Sequence, residues 1–388
     1  MGPQHEQTPF VLPGEYADFA ANVRAFSRDK LYDGYLGRAT SQTMPWEELR
    51  LLGRAGLLGM SLPVESGGQG ADPLVVGLAL EELAYADVNV AYLSFSSETV
   101  TPAHRGLPPE IGEPLAHSVA QGEEVLAMAL TEPGAGSDNS AMRLHARPVS
   151  GGYLLRGEKT SITGAVHSRR GVVAATTEPG GGSQAVRRLL VDLTDSSVTV
   201  QRIKDPGFHP VGRATITFED TFVPADHELR EEMSGLAGQL SLLDYTRAMV
   251  GLMCVGAAKR AIDMTVEWVR DRHAFGKSIA GYQGVSFTLA EHATQLEAAR
   301  MLTYRALALI AAGQSARREA AMTKWWTPRV AMAAINDCIV LHGHVGWSSE
   351  MPLQQLLVDV SGMQIGDGTP QIQKLVIARD LIGRAYVG

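Results

Sequence analysis

The spacing of apolar residues along the 388-residue chain changes twice. Up to about residue 122, apolar residues recur every three to four positions, which predicts amphipathic helices. From about 123 to 227, short apolar runs are bounded by Gly, Pro and Asp, which predicts strands. Helical spacing then returns. We therefore expect three domains: an N-terminal helical domain over 1–122, a middle β domain over 123–227 and a C-terminal helical bundle over 228–388.

Individual elements can be placed within these domains. The predicted strands are 125–130, 153–157, 172–176, 189–191, 198–202 and 215–218. The predicted helices include 16–29, 46–55, 73–86, 238–271, one with apolar steps from 285 to 303, 315–342 and 371–383. Glu81 and Glu82 are expected on a solvated helix face, and Pro328 is expected to bend its helix. Long helices with short links predict a bundle, and apolar stripes on more than one face indicate contact with another subunit.

The composition, with 45% hydrophobic and 20% charged residues, is ordinary for a globular protein. A formal net charge of −8 argues against nucleic acid or an anionic membrane as the main partner. No apolar run reaches the length of a membrane span, and the N-terminal residues lack the pattern of a signal peptide. Cys254 and Cys338 lie in apolar helical patterns, which indicates buried thiols and a reducing compartment. We expect a cytoplasmic protein.

The most informative stretch is Thr-Glu-Pro-Gly-Ala-Gly-Ser-Asp at 131–138, directly after the apolar run 125–130. Gly134 and Gly136 allow a tight turn and close approach of a ligand to the backbone. Thr131 and Ser137 supply hydroxyls, and free N–H groups in such a turn suit an anion or a ring carbonyl. A generic turn of this composition is most often only the end of a strand.

The whole octapeptide resembles the flavin-seating signature of the acyl-CoA dehydrogenase family. The resemblance covers nearly the whole chain and implies an α+β fold, mostly α, with an N-terminal helical domain, a middle β domain and a C-terminal four-helix-type bundle. It also implies FAD as cofactor. The residues of this region that it places against FAD are Met128, Leu130, Thr131, Gly136 and Ser137.

The segment Lys-Thr-Ser-Ile-Thr at 159–163 resembles the family's next signature. The resemblance implies that Ser161, Ile162 and Thr163 border the flavin, with the Thr163 hydroxyl at flavin N5, the atom that receives hydride. The family has a shielding aromatic residue where this chain has Ser161. Either another side chain fills that gap or the flavin edge is more open.

The segment Arg-His-Ala-Phe-Gly-Lys at 272–277, followed by Tyr282 and Gln283, resembles a family element that reaches a neighbouring subunit's FAD. The resemblance implies that Arg272, Phe275 and Gln283 contact the pyrophosphate and adenosine, and arginine suits phosphate because of its planar fork of donors. A homo-oligomer follows, and the family's habit is a tetramer.

Residues 340–347 correspond to a family segment that usually begins with Gln and contains paired glycines. Val340 and His344 depart from that pattern. Val340 and Gly343 are still expected beside the adenosine end of FAD, although that end would be held differently. A flavin with a shortened tail is an open alternative.

The segment Ile-Gly-Asp-Gly-Thr-Pro-Gln-Ile at 365–372 resembles the family's last signature, in which a glutamate is the catalytic base. Here that position is Asp367, whose carboxylate is set back by ~1.5 Å, one C–C bond. A displacement of about 1 Å can cost about 100-fold in rate. The resemblance also places Thr369 and Gln371 beside FAD and Gly368 beside the substrate.

Some relatives carry the base in an Asp-x-Glu-Arg stretch instead. Here that stretch is Asp244-Tyr245-Thr246-Arg247, so Thr246 excludes this alternative. The resemblance implies that Asp244 and Arg247, together with Ser137, contact the acyl-carrying substrate.

The resemblance implies α,β-dehydrogenation of an acyl thioester, in which Asp367 takes the α-proton, flavin N5 takes the β-hydride and an electron-transferring flavoprotein reoxidises the flavin. The combination of signatures looks most like the branch that acts on cyclic acyl-CoAs such as cyclohexanecarboxyl-CoA. Whether the acyl group is carried by CoA or by an acyl carrier protein stays open. Two other hypotheses remain: a flavin oxidase of a small carbon acid, similar to nitroalkane oxidase, and a non-catalytic partner subunit of a two-chain dehydrogenase.

Overall fold

The computed structural model describes residues 14–230 and 243–387. The first part is helical. Asp72 and Asp87 cap two of these helices, since their carboxylates accept the backbone N–H groups of the first turns. The seven helices are α1 (Gly14–Lys30), α2 (Tyr35–Ala39), α3 (Trp46–Arg54), α4 (Pro73–Ala86), α5 (Val88–Ser97), α6 (Val100–Gly106) and α7 (Pro109–Ala120).

A seven-stranded sheet follows, in the order β1-β4-β2-β3-β7-β6, with β5 paired to β4. Its strands are β1 (Leu126–Ala129), β2 (His145–Val149), β3 (Gly152–Ile162), β4 (Arg170–Thr176), β5 (Val186–Asp192), β6 (Val198–Arg202) and β7 (Ala214–Pro224). All six predicted strands are confirmed, although β3, β5 and β7 are longer than expected. The sequence did not predict β2, which pairs antiparallel with β3.

The remaining helices form the C-terminal part. They are α8 (Leu243–Asp271), α9 (Gln283–Ala311), α10 (Arg317–His342), α11 (His344–Trp347), α12 (Pro352–Gly362) and α13 (Pro370–Ile382), with a small hairpin of β8 (His273–Ala274) and β9 (Lys277–Ser278) after α8. α10 is one helix that contains Pro328. The predicted start of the helix 238–271 lies outside the described residues.

The main apolar core joins the N-terminal helices to the C-terminal helices, and α4 lies within it. The expectation that Glu81 and Glu82 face solvent is wrong: they are 2% and 5% exposed. Arg300 of α9 donates to Glu81 at 2.7 Å, and Arg24 of α1 donates to Glu82 at 2.9 Å. Because α4 is surrounded by helices, its acids are buried against arginines of its neighbours rather than hydrated.

A fully buried carboxylate, Asp359 of α12, links the three parts of the chain. It accepts hydrogen bonds from Tyr35 (2.9 Å), Asn89 (2.9 Å) and Gln355 (2.9 Å). The backbone N–H of Phe208, between β6 and β7, donates to it at 2.8 Å. Burial raises the pKa of Asp359 to about 6, and these donors oppose the rise.

The predicted state of the cysteines is confirmed, since Cys254 and Cys338 are free and buried. Within residues 14–230 and 243–387, no helix is both long enough and apolar enough to cross a membrane.

Candidate functional site

The turn after β1 is bound to the end of β3. The N–H of Thr160 donates to the carbonyl of Thr131 at 2.9 Å. Lys159 is buried and donates to the Glu132 carboxylate at 2.9 Å and to the Leu130 carbonyl at 2.8 Å. Burial lowers the pKa of Lys159 to about 8, while the charge of Glu132 opposes that shift. The first two signatures therefore form one surface, held by an ion pair that the sequence analysis did not predict.

The outer side of this turn is open. A Cβ atom built at Gly134 or Gly136 would meet no heavy atom within 4 Å. Ser137 is exposed, and Met128 is half-buried on β1. The backbone of the turn is therefore accessible to a ligand.

The residues at the end of β3 differ in whether their side chains are accessible to a ligand. The Ile162 side chain packs in the core of the sheet, so its backbone is the part that remains for a ligand. Ser161 has a φ of +60°, and Arg213, paired with Asp205, donates to its hydroxyl at 3.4 Å. Thr163 is half-buried beside them.

Residues 366–368, the Asp367 turn, lie in the segment that connects α12 to α13. Asp367 and Gly368 have φ values of +55° and +99°. Gln373, which is 0% exposed, donates to both of their carbonyls, at 2.9 and 3.1 Å. Arg247 donates to the Asp367 carbonyl at 3.3 Å, and Lys324, which is 1% exposed, donates to the Gly368 carbonyl at 3.4 Å. Three side chains thus fix two consecutive peptide groups in a left-handed turn.

Two buried cations face the Asp367 side chain. Burial lowers the pKa of Lys324 to about 8, and the charge of Asp367 opposes that shift. Burial also lowers the pKa of Arg247, opposed by Asp244 and then by Asp367. The turn therefore brings two buried cations, Arg247 and Lys324, next to the carboxylates of Asp244 and Asp367. Cations in this position can stabilise a negative charge that develops during a reaction.

The expected substrate contacts on α8 form a pair, since Arg247 donates to the Asp244 carboxylate at 3.1 Å. Thr246, at the alternative base position, donates its hydroxyl to the Leu243 carbonyl at 3.3 Å. A hydroxyl in that position has no basic carboxylate to offer, which agrees with the assignment of the base to Asp367.

A third segment joins the site from the N-terminal helices. Burial and then the charge of Asp367 raise the pKa of Tyr92, on α5, to about 12. A hydrogen bond from the Thr163 side chain and the charge of Arg213 oppose this rise. The structure therefore brings together Asp367, Thr163 and Tyr92, which lie in three different parts of the sequence.

The residues expected at the adenosine end are at the other end of the bundle. Arg272 follows α8 directly and lies 25 residues after Arg247, which corresponds to about 37 Å along the helix. Phe275 is 97% exposed with a φ of +52°. Gln283, Val340 and Gly343 are exposed as well. The structure does not bring these residues to the Asp367 turn within one chain.

The last two expected cofactor contacts precede and begin α13. Thr369 is half-buried and accepts the N–H of Gln373 at its carbonyl at 3.0 Å. Gln371 is exposed.

The sequence analysis missed four residues that shape the site: Glu132, Lys324, Gln373 and Tyr92. For Lys324 a signal existed, because a single lysine stands on the buried face of α10 among alanines and threonines. A lone cation on such a face needs a partner. Glu132 lies within the signature at 131–138, but its ion pair with Lys159 is not visible in the sequence. No local pattern marks Gln373 or Tyr92.

Comparison with known proteins identifies the family. Residues 13–106, 127–221 and 233–382 match the N-terminal, middle and C-terminal domains of acyl-CoA dehydrogenase. The probable acyl-CoA dehydrogenase FadE25 of Mycobacterium tuberculosis (strain ATCC 25618 / H37Rv) is 30% identical over 377 residues, covering 96% of this chain and 97% of that protein.

Solved structures agree. Butyryl-CoA dehydrogenase from Megasphaera elsdenii superposes with a TM-score of 0.90 at 28% identity, covering 97% of this chain and 100% of that chain. The structure of PigA with FAD and proline gives a TM-score of 0.92 at 26% identity, with 97% and 100% covered. The expected fold, with helical, β and helical domains in that order, is confirmed.

The donors present fit a flavin dinucleotide. The open turn at 131–137 and the adjacent end of β3 offer hydroxyls and backbone groups to a ring, and Arg272 is a suitable phosphate donor in a second location. Together with the matches over all three domains, this identifies the protein: the chain belongs to the acyl-CoA dehydrogenase family and is an FAD-dependent oxidoreductase.

Proposed function

We propose that the enzyme catalyses α,β-dehydrogenation of an acyl thioester with Asp367 as the base. The observation that carries this proposal is that the two buried cations Arg247 and Lys324 donate hydrogen bonds to the carbonyls of the Asp367 turn, at 3.3 and 3.4 Å. A carboxylate takes the α-proton, and the neighbouring positive charges stabilise the negative charge that develops on the substrate. FAD, when bound, supplies the acceptor for the hydride.

The hydrogen bonds on the Asp367 turn support a second role for the backbone. Gln373 and Arg247 both donate to the Asp367 carbonyl. Hydrogen bonds of this kind polarise the peptide group, so the N–H of Gly368 becomes a better donor. The thioester carbonyl gains negative charge as the α-proton leaves. We propose the backbone N–H of Asp367 as its donor, as the resemblance implies, with the N–H of Gly368 as a second donor.

We propose that FAD is bound by the residues that the sequence signatures assign to it. Thr131, Gly136 and Ser137 lie on the open turn, and Thr163 lies beside them. Ser161 leaves more space at the flavin edge than an aromatic residue would. Asp244 and Arg247 are the proposed contacts for the carrier part of the substrate.

The distance along α8 supports a homo-oligomer, with a tetramer as the proposed form. Arg272, the proposed pyrophosphate contact, lies about 37 Å along α8 from Arg247, the proposed substrate contact. A second copy of the chain could place its own Arg272 beside the first copy's site, so that two protomers complete one cofactor site. Large apolar side chains exposed in the C-terminal part are available for such a contact: Phe275, Phe287, Val340, Trp347 and Leu381.

For the substrate we propose a compact acyl group, cyclic or branched, on CoA or on an acyl carrier protein. Two of the similar structures are named for compact groups, since butyryl is a four-carbon acyl group and proline is a small ring. The shorter reach of Asp367 also requires that the α-carbon lie close to it. An electron-transferring flavoprotein is the proposed electron acceptor, and the cytoplasm is the proposed location.

Anaerobic stopped-flow reduction with a panel of acyl-CoAs tests this function. At least one thioester is expected to bleach the flavin of the wild type. Asp367→Asn is expected to retain FAD, but its rate of flavin bleaching is expected to be lower by about 1,000-fold or more, because an amide cannot accept the α-proton. Asp380→Asn, an exposed carboxylate on α13, is the matched control. Unchanged bleaching in Asp367→Asn would remove Asp367 as the base, whereas a wild type that no thioester bleaches would favour the hypothesis of a non-catalytic subunit.

The space at Ser161 keeps the oxidase hypothesis as a second candidate, because an oxidase needs access for oxygen. The same reduced enzyme mixed with oxygenated buffer distinguishes the two. Slow reoxidation by oxygen, with fast reoxidation by an electron-transferring flavoprotein, is expected for the dehydrogenase. Rapid reoxidation by oxygen alone would favour the oxidase.

A further inference from the structure

The end of β3 lies beside the start of β7, and the backbone is bulged there. The pairing of the two strands shifts register just before Ile162, and Ser161 in this bulge has a φ of +60°. The preceding residue, Thr160, donates its N–H to the Thr131 carbonyl at 2.9 Å. The bulge therefore lies next to the open turn at 131–138, on the surface that we assign to the flavin ring.

Arg213, directly before β7, extends its guanidinium group to this bulge. Its Nη1 donates to the Ser161 hydroxyl at 3.4 Å. The Asp205 carboxylate binds a different edge of the same guanidinium, since it accepts from Nε at 3.0 Å and also from Nη2. The positive end of this ion pair therefore faces Ser161, and the carboxylate lies on the other side.

Further charge near this guanidinium is mostly positive. Arg202 of β6 donates to two backbone carbonyls, those of His209 at 3.0 Å and Gln42 at 3.2 Å. The His167 ring lies 3.3 Å from Arg202, and burial, followed by that charge, lowers the pKa of His167, so the ring is neutral at pH 7. Two guanidinium groups thus stand against the carboxylate of Asp205, although the chain carries a formal charge of −8.

The guanidinium of Arg213 is accessible to a ligand at the bulge. Its side chain is 37% exposed, whereas that of Asp205 is 19% exposed. Ser161 contributes only a CH2OH group at this position, so a ring bound here can approach the guanidinium closely. A bound ring would also displace water from the guanidinium, and the charge would then be less screened.

We propose that Arg213, positioned by Asp205, borders the bound flavin ring and raises its reduction potential. This inference rests on the proposed FAD site at Ser161 and Thr163. Reduction adds negative charge to the ring, and a fixed positive charge beside it favours the reduced form. Asp205 is a positioning residue: it keeps Nη1 directed at Ser161, and its own charge offsets part of the effect.

The test measures the reduction potential of the bound FAD by equilibration with a redox dye of known potential, in the absence of substrate. Arg213→Ala is expected to lower the equilibrium constant for reduction by about tenfold, which is ~30 mV for a two-electron couple. Arg213→Lys keeps the positive charge and is expected to stay closer to the wild type. Arg213→Gln serves if the alanine variant fails to fold.

Asp205→Asn is expected to change the potential in the opposite direction. It removes the opposing negative charge, while the amide oxygen still accepts a hydrogen bond from the guanidinium. The equilibrium constant for reduction should therefore rise above the wild-type value. A fall in this variant would overturn the role of charge.

Arg156→Ala is the matched control, because it removes an arginine that is paired across the same two strands. Arg156 of β3 donates to Asp220 of β7 at 2.8 Å, and it lies five residues before Ser161, about 17 Å along the strand. This variant is expected to keep the wild-type potential. The inference is overturned if Arg213→Ala keeps it as well, or if Arg156→Ala shifts it equally.

These outcomes are distinct from failure of the proposed function. A shifted potential in Arg213→Ala, in an enzyme whose flavin no thioester reduces, would support the inference and remove the dehydrogenase function. Reduction by a thioester together with an unchanged potential in Arg213→Ala would retain the function and overturn the inference. A wild type that cannot bind FAD overturns both.

Discussion

At the scale of single residues, the site depends on the conformation of Asp367. A φ of +55° raises the conformational energy of a non-glycine residue by about 1 kcal/mol or more. The buried donors Gln373, Lys324 and Arg247 offset that cost by binding the carbonyls of the turn. The position of the shortened carboxylate is therefore set by these side chains as much as by the turn itself.

We predict that Lys324→Met slows flavin reduction by about tenfold or more, because hydrogen bonds to charged groups contribute about 1.5–3 kcal/mol. The wild-type rate is expected to fall as the pH rises through about 8, where Lys324 loses its proton and its positive charge beside Asp367. The variant should lack this step. Stopped-flow reduction from pH 6 to 9.5, at equal FAD content, is the measurement.

Lys374→Met, which changes an exposed lysine on α13 that lies over the Trp325 ring, is the control for the loss of one positive charge. It is expected to keep the rate and the pH profile. A Lys324→Met enzyme with a wild-type rate and profile would show that Lys324 does not act on the Asp367 turn.

The same residues show which parts of the site can be predicted from the sequence alone. Asp367 and Thr163 were identified because each lies in a contiguous signature. Lys324 and Gln373 act on Asp367 only through the fold, and Tyr92 comes from a different domain. Contacts of this kind depend on how the chain packs, which local patterns do not encode.

At the scale of elements, α4 is where local interpretation failed. Two adjacent glutamates usually mark a solvated face, yet α4 is enclosed by α1, α8 and α9 and buries nearly every residue after its first turn. The strand β2 was missed for a similar reason: its sequence, His-Ala-Arg-Pro-Val, has weak strand propensity and is fixed by pairing with β3. The strongly periodic helices and the apolar strands lie where the sequence predicts them, although β3, β7 and α9 extend further than expected.

We predict that Glu81→Ala lowers the free energy of unfolding by about 2–4 kcal/mol, because it leaves Arg300 and the Tyr304 hydroxyl without their shared acceptor. Glu297→Ala is a closely matched control, since Glu297 pairs with the same Arg300 at 3.7 Å but is largely exposed. That variant should lose at most about 1 kcal/mol. Chemical denaturation of both measures the difference, and equal losses would contradict the burial argument.

At the scale of the whole molecule, Asp359 ties the N-terminal helices, the β6–β7 loop and α12 to one carboxylate. The order of helical, β and helical domains followed from periodicity, but this junction did not, since its partners are separated by most of the chain. The ring of Phe208 packs on Tyr92, and the backbone N–H of Phe208 donates to the same carboxylate. The junction therefore connects overall stability to the packing of the β6–β7 loop on α5.

We predict that Asp359→Asn destabilises the protein by about 1–3 kcal/mol at pH 7. The side-chain NH2 of Asn is a donor, and it would face groups that themselves donate to Asp359. The folded-state pKa of Asp359 is raised from 3.8 to about 6. Below pH ~4, protonation of Asp359 therefore adds to the free energy of unfolding of the wild type. About 3 kcal/mol of that free energy is lost as the pH rises to 6. The variant should lack that loss.

Thermal unfolding between pH 4 and 7 measures both effects. Asp380→Asn, which removes an exposed carboxylate paired with Arg318, should follow the wild-type curve. If Asp359→Asn also follows it, the carboxylate does not act as the junction.

The length of α8 has a consequence for how the enzyme is handled. Arg247, which contacts the Asp367 turn, lies near one end of this 29-residue helix, and Arg272 follows the other end. In the proposed oligomer, FAD would be held between protomers, so cofactor retention and subunit assembly would be coupled. Dilution should then shed flavin and specific activity together, and added free FAD should restore both by pulling protomers back into association.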